Sequence, residues 1–194
     1  MNKKTFFANV ASKALALAAT VMMMSAAFTA CSSSNDDDGG GGTPPLPEPK
    51  AQTVTLDGAE KPILKAEYED KGNGNYKLYL NLSADGKERV QILLNKDLHM
   101  TGSPIDLTKR EKKHEGDEWY WVADYHNPDK SLFPNTTGDP DSNSDLYLTG
   151  TLTVTGDPKS GKVSIKLENG CVKTNDRQKR TLTVRYSGTM TEGE

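Results

Sequence analysis

The chain has 194 residues and a net charge of −3, which becomes −6 without the first 30 residues because three lysines lie there. With 27 acidic and 24 basic residues, no basic surface large enough to bind nucleic acid is expected. The two cysteines are far apart in the sequence, which excludes a Cys-x-x-Cys redox pair or zinc site.

The N-terminus has the order of parts found in an export signal. Lys3 and Lys4 supply positive charge, and the apolar run 14–24 follows them. This run is shorter than the roughly 20 apolar residues of a membrane-spanning helix. Small residues then precede Cys31, as in the lipobox of bacterial lipoproteins, with Phe28 where Leu is usual. The sequence therefore predicts acylation of the Cys31 thiol and cleavage of the signal before it.

The segment after this cysteine is rich in Ser, Asp, Gly and Pro and has almost no apolar residue to bury. Such a composition cannot offset the entropy of ordering, so we expect a flexible tether. Its triplet Asp36-Asp37-Asp38, placed after serines, resembles the surface-export tether of Bacteroidota lipoproteins. The resemblance implies a lipid anchor in the outer membrane and display on the cell surface. The alternative interpretation is a plain solvated charge run.

The sequence thus divides into a lipoprotein signal peptide over 1–30, the lipidated cysteine and its tether over 31–50, and one domain over 51–194. A domain of about 144 residues can bury about two thirds of its unfolded surface and needs neither a disulfide nor a metal to fold. We expect Cys171 to be a buried strand residue of this domain.

Hydrophobic residues in the domain alternate with a period of two, which is typical of strands that bury one face. The clearest alternating runs are 76–82, 146–154, 163–167 and 182–186, and weaker ones are 53–56, 63–68, 90–94 and 119–125. No amphipathic helical stretch follows the signal. The sequence therefore predicts an all-β domain of about eight strands.

Turn residues indicate how these strands connect. Asp85-Gly86 and Asn169-Gly170 allow the positive φ of tight hairpins, and 156–161 would close another hairpin. Successive hairpins give an antiparallel meander. A meander with one apolar face must fold back on itself, so we expect a β-sandwich, with an up-and-down, calycin-like barrel as the alternative.

Two long connections, 95–117 and 126–145, interrupt the meander. Loops of about 20 residues are uncommon in compact domains and often carry function. The segment 99–108 in the first loop resembles small surface lipoproteins of gut Bacteroidota. That resemblance implies the localisation and brings no catalytic motif.

No catalytic residues are predicted. His99, His114 and His126 lack the spacing of a known triad, and no Gly-x-Ser-x-Gly, His-Glu-x-x-His or phosphate-binding glycine loop occurs. Asp117 and Glu118 could flank a glycosidic bond, but any acidic loop contains such a pair.

An acidic segment in the second long loop places oxygen ligands at every second residue, which is the spacing of the first half of a calcium loop. These candidate metal ligands are Asp139, Asp141, Asn143 and Asp145. Ser144 stands where a calcium loop has Gly for its sharp turn, and Gly150 stands where a bidentate Glu closes the site. A non-helical calcium loop is therefore a hypothesis beside that of a plain soluble loop.

The run 119–125 carries aromatic rings on both faces of a predicted strand. Rings that point outward could stack on the faces of sugars, whereas rings that point inward would fill the core. We expect Tyr120, Asp124 and His126 to form the outward, ligand-binding face, with Trp119, Trp121 and Tyr125 as the candidates if the strand is reversed.

The leading hypothesis is a non-catalytic, membrane-tethered surface lipoprotein that acts as a binding or accessory module for a glycan or a protein. No resident cofactor is expected apart from the calcium hypothesis. A structural or adhesin subunit that passes a strand to its neighbour is the alternative, and a hydrolase is a weaker one. A donated strand should be rich in β-formers, whereas the tether is rich in Gly and Pro.

The lipobox generates a direct test. Cys31→Ser should abolish acylation, because the serine hydroxyl does not replace the thiolate nucleophile. Metabolic labelling with an alkyne fatty acid, followed by membrane fractionation, measures the effect. Label retained on the Cys31→Ser protein would contradict the lipoprotein prediction.

Overall fold

The computed structural model describes residues 52–129, 133, 135–174 and 178–193. These residues form two β-sheets packed face to face without a closed barrel, which confirms the all-β sandwich and removes the barrel alternative. The signal peptide, Cys31 and the tether lie outside the described residues. Within the described part of the chain, no helix is long and apolar enough to cross a membrane.

Eleven strands and one helical turn occur in the described residues, three strands more than predicted. The additional strands are short ones that the alternation pattern does not reveal. In chain order the elements are β1 (Thr53–Leu56), β2 (Ala59–Pro62), β3 (Lys65–Asp70), β4 (Asn75–Asn81), β5 (Arg89–Asn95), α1 (Lys96–His99), β6 (Ile105–Asp106), β7 (Val122–His126), β8 (Thr149–Gly156), β9 (Lys162–Lys173), β10 (Lys179–Thr189) and β11 (Thr191–Glu192).

The first sheet has the order β2-β1-β10-β9-β8-β6, and the second has the order β11-β3-β4-β5-β7. Neighbouring strands are antiparallel except for β11 and β3, which are parallel. The predicted meander is present in both sheets, as β3-β4-β5 and as β8-β9-β10. Strand β1 joins the later strands, because Val54 pairs with Val184 of β10.

Both sheets contribute one apolar face to the core. In the second sheet the fully buried residues include Leu78, Leu80 and Ile92. In the first sheet Val154 and Ile165 take the same role. In the long strands β4, β5, β8, β9 and β10 buried side chains alternate with less buried ones, so the period-two pattern in the sequence marks their inward faces.

The predicted hairpin at Asn169-Gly170 is wrong. Strand β9 continues through both residues, and Asn169 takes a φ of 52° inside it. The register shifts here, because Leu182 of β10 pairs with Gly170 whereas Val184 pairs with Leu167. The positive φ therefore serves a β-bulge and not a turn. Cys171 follows the bulge and is buried, as expected.

Both long connections are built onto the sandwich. The first contains α1 and β6, and β6 pairs with β8 of the first sheet. The second runs along the outer edge of β7, where the amide of Phe133 donates to the carbonyl of Tyr125 at 3.2 Å. The amide of Gly138 donates to the carbonyl of Trp121 at 2.9 Å. These hydrogen bonds satisfy backbone groups that an edge strand would otherwise expose to solvent.

The hairpin between β8 and β9 provides a matched pair of glycines for a stability test. Gly156 has a φ of 103°, and a Cβ there would collide with the backbone carbonyl of Lys162. A Cβ at Gly161 would meet no atom within 4 Å. Gly156→Ala should lower the free energy of unfolding by at least about 1 kcal/mol, and Gly161→Ala should leave it unchanged or raise it slightly. Equal effects in urea denaturation would contradict this geometry.

Candidate functional site

The aromatic run 119–125 lies partly before β7 and partly within it. The strand begins at Val122, and Trp121 just before it is fully buried in the core with Ala123 and Tyr125. The core interpretation is therefore confirmed for Trp121. Trp119 lies outside the strand, is partly buried, and donates its amide to Asn75 Oδ1 at 2.9 Å.

The expectation that Asp124 offers a polar contact on an open face is wrong. Its side chain is 5% exposed, because the second long loop covers the outer side of β7. Oδ1 accepts the amide of Thr136 at 3.0 Å and contacts its hydroxyl at 2.9 Å, while Oδ2 accepts the amide of Asn135 at 3.3 Å. Burial raises the pKa of this carboxyl to about 6, against the effect of these bonds. Asp124 thus fastens the loop to β7.

The other two residues of the predicted outward face lie at opposite ends of β7. Tyr120 precedes the strand, and its ring stacks on His114 with the centroids 4.1 Å apart. His126 ends the strand next to Arg89 of β5. The two residues are six positions apart along the chain, which is roughly 20 Å when the chain is extended. The predicted ligand residues therefore do not converge on one site.

A buried histidine anchors the first long loop. His99 is 4% exposed, and its Nδ1 accepts the amide of Asn95 at 2.9 Å. An Nδ1 that accepts leaves Nε2 as the protonated nitrogen of the neutral ring, and Nε2 lies 3.0 Å from Glu111 Oε2. The second carboxylate oxygen, Oε1, accepts the amide of Trp121 at 2.8 Å.

The carboxylate of Glu111 is held ionised by these partners. Burial acts to raise its pKa, but the hydrogen bonds from His99 and from the Trp121 amide bring it below the usual range. Both nitrogens of His99 and both oxygens of Glu111 are occupied. The pair therefore joins α1 and the end of β5 to the backbone of Trp121.

The two long loops also contact each other directly. The guanidinium of Arg110 donates to the carbonyls of Thr137 and Ser144. Lys113 forms an ion pair with Asp141 at 2.6 Å. With these contacts the first loop is fixed against the second as well as against the sheet.

A depression of about 390 Å³ lies in the first long loop, beside α1, and two of its lining residues, Glu111 and Lys113, also contact the second long loop. Its lining combines apolar and cationic side chains, and Leu98 is 44% exposed there. His114 adds a buried Nε2 that has no hydrogen-bond partner among the described residues. The lining residues of this loop-junction depression are Leu98, His99, Ile105, Glu111, Lys112, Lys113 and His114.

The long loops are predictable from the sequence, but this depression is not. Its residues come from α1, β6 and the run 111–114, and no spacing rule joins them. The only earlier signals were the unusual length of the connection and the presence of His99 and His114 in it.

The predicted calcium ligands do not converge on one point in the structure. Asp139 Oδ1 accepts the amide of Asp141 at 2.9 Å, and Asp141 Oδ2 pairs with Lys113. Asn143 and Asp145 are exposed. No group of three or more His, Cys, Asp or Glu side chains within the described ranges is arranged to hold a metal ion.

No protein-family model, curated protein or solved structure matches this chain.

The two faces of the aromatic segment can be separated by stability measurements. Trp121→Ala should lower the free energy of unfolding by about 3–5 kcal/mol, because it removes a fully buried ring. Tyr120→Ala should cost less than about 1.5 kcal/mol, because it removes the stacking on His114 and one long hydrogen bond, of 3.4 Å, from the His114 amide. Denaturant melts of both variants test this, and a larger loss for Tyr120→Ala would reverse the assignment.

The raised pKa of Asp124 predicts a pH dependence of stability. Its ordinary value is 3.8, and in the folded protein it is about 6. The unfolded chain therefore loses this proton first, so the contribution of Asp124 is fully present below pH 4 and falls as pH rises to about 6. The loss should amount to about 2–3 kcal/mol. The difference in unfolding free energy between the native protein and Asp124→Asn should shrink or reverse across this window, and a constant difference would contradict the prediction.

Proposed function

We propose that this protein is a lipoprotein of the outer membrane, anchored through Cys31 and displayed at the cell surface, whose sandwich acts as a non-catalytic binding module. The ligand is a glycan, and it binds in the loop-junction depression. The observation that carries this proposal is an open depression of mixed apolar and cationic character in the first long loop, which contacts with the second long loop hold in place.

Rigidity matters because binding is weakened by the entropy of ordering the site. The junction is ordered before a ligand arrives, since Glu111 joins α1 to Trp121 and Arg110 joins the two loops. A binding site on loops held by a rigid sheet is the usual arrangement in β-sandwich binding proteins. The tether would carry this surface away from the membrane.

The chemistry of the depression suits a saccharide. Leu98 and Ile105 offer apolar surface for the C–H faces of a sugar ring, and Lys112 and Lys113 offer donors for its hydroxyls. The unpartnered Nε2 of His114 adds one more polar atom. A volume of about 390 Å³ falls in the range of small-ligand sites, roughly 300–1,000 Å³.

The hydrogen bonds already made by His99, Glu111 and Asp117 support a non-catalytic role. His99 and Glu111 bond to each other and to backbone amides. The carboxylate of Asp117 accepts from the amide side chain of Asn73 at 3.3 Å. Such groups position the loops, and they are not arranged as a carboxyl pair about a cleft.

A glycan array probed with the purified mature chain tests this function. We expect binding to a subset of glycans, and Leu98→Ala or Lys112→Ala should weaken it by about tenfold or more, a loss of about 1.4 kcal/mol. Leu148→Ala is the matched control, because Leu148 is 46% exposed and lies outside the depression. Absence of any glycan signal, or an equal loss in Leu148→Ala, would refute the proposal.

A further inference from the structure

Arg89 and His126 are neighbours on the outer face of the second sheet. They are register partners at the end of β5 and β7, and their outward direction follows from the buried side chains of Val90 and Tyr125 beside them. The Arg89 guanidinium lies over the ring of Tyr79, 5.1 Å from its centroid. Its Nη1 donates to the carbonyl of Gly86 at 3.2 Å.

The positive charge of Arg89 is not balanced by a neighbouring carboxylate. The nearby carboxylates already have lysine partners, since Glu67 pairs with Lys65 at 2.6 Å and Asp85 pairs with Lys87 at 3.3 Å. Among the described residues, no carboxylate lies within 4 Å of the guanidinium of Arg89. A half-buried, unpaired guanidinium is unusual, because charges removed from water are normally paired.

Two polar atoms at this position also lack hydrogen-bond partners. The Nε of Arg89 and the Nε2 of His126 are buried, and neither has a partner in the described part of the chain. Arg89 Nε always carries a proton, so it is a donor without an acceptor. Most buried polar atoms in proteins do have partners. The Nε atoms of Arg180 and Arg185 also lack one, but those guanidinium groups pair with Asp57 and Glu168, whereas Arg89 pairs with no carboxylate of the described residues.

We propose that Arg89 and His126 form a binding site for an oxyanion, the carboxylate or sulfate group of a small acidic ligand such as an acidic sugar. The guanidinium supplies the charge and His126 supplies a second donor when its Nε2 is protonated. Carboxylates and sulfates fit the planar guanidinium, because its N–H groups can donate to two oxygens at once. Tyr79 holds the guanidinium in position through the contact with its ring.

A hollow of about 410 Å³ lies on the Asn81 side of Arg89; neither Arg89 nor His126 lines it, but a ligand held by the guanidinium would extend toward it. Asn81 lines the hollow and is the register partner of Arg89 on β4. Gly86, whose carbonyl accepts from Arg89, lines it too. The hollow and the loop-junction depression lie at opposite ends of β5, roughly 20 Å apart. The oxyanion site therefore does not depend on the proposed glycan site.

Anion binding at this position should depend on pH through His126. Burial, with a smaller effect of the Arg89 charge, lowers the pKa of this histidine, so the ring is neutral at pH 7. The other ionisable groups on this side of the sheet are Asp124 on β7, which is bonded to the second long loop, Tyr79 and Lys77 on β4, and Lys65, Glu67 and Glu69 on β3. As pH falls below 6.5, protonation of His126 should strengthen anion binding.

The experiment is a titration of the purified mature chain with glucuronate, with inorganic sulfate and with neutral glucose, followed by calorimetry and by NMR of the His126 ring. Glucuronate or sulfate should bind, and glucose should not. The affinities for the two anions show whether the site prefers a carboxylate or a sulfate. Arg89→Gln should weaken anion binding by about tenfold or more. Arg185→Gln is the matched control, because Arg185 lies on the outer face of the other sheet and pairs with Glu168 at 3.2 Å.

A second variant keeps the test decisive if Arg89→Gln does not fold. His126→Gln should retain binding at pH 7 and lose its increase at lower pH. No binding of either anion, binding of glucose equal to that of glucuronate, or an equal loss in Arg185→Gln would overturn the proposal. Leu98→Ala should leave anion binding unchanged, so failure of this site and failure of the glycan site are separate results.

Discussion

The open backbone edge of β7 is the constraint on which both long loops depend. An edge strand exposes N–H and C=O groups. If these groups find no partners within the protein, they can pair with a strand of another chain. The second long loop supplies such partners through the amides of Phe133 and Gly138. Because the carbonyl of Gly138 also accepts the amide of Glu111, the cover of the edge holds the first long loop as well. The loop-junction depression is a consequence of this arrangement.

Trp121 connects the core to these loops. Its ring is fully buried, its amide donates to Glu111 and its carbonyl accepts from Gly138. Hydrophobic packing of the ring therefore fixes the position of a backbone amide and carbonyl that bind the two long loops. The opposite end of the second sheet differs in its charge, because the guanidinium of Arg89 lies there without a carboxylate partner among the described residues. One sheet thus presents two chemically distinct surfaces.

Residues that are placed by local alternation could be predicted from the sequence, whereas residues that are placed by distant contacts could not. The inward placing of Trp121 could be predicted, because the alternation of β7 continues through it. The burial of Asp124 could not, because alternation places it outward and only a loop returning at Asn135 and Thr136 covers it. The Asn169-Gly170 pair indicated a positive φ correctly, but a bulge and a turn need the same backbone conformation. The unpaired state of Arg89 could not be predicted either, because it depends on which carboxylates the fold places near the guanidinium.

The sequence by itself determined the all-β class, the inward face of the long strands and the position of the two long connections. Those properties are local, because alternation and turn chemistry act over a few residues. The tertiary structure alone decided how the strands divide between two sheets, where the loops dock, and which side chains meet. The pairing of His99 with Glu111 and that of Arg89 with His126 join residues 12 and 37 positions apart. Such contacts depend on the register of strands and the path of loops, which no short stretch of sequence specifies.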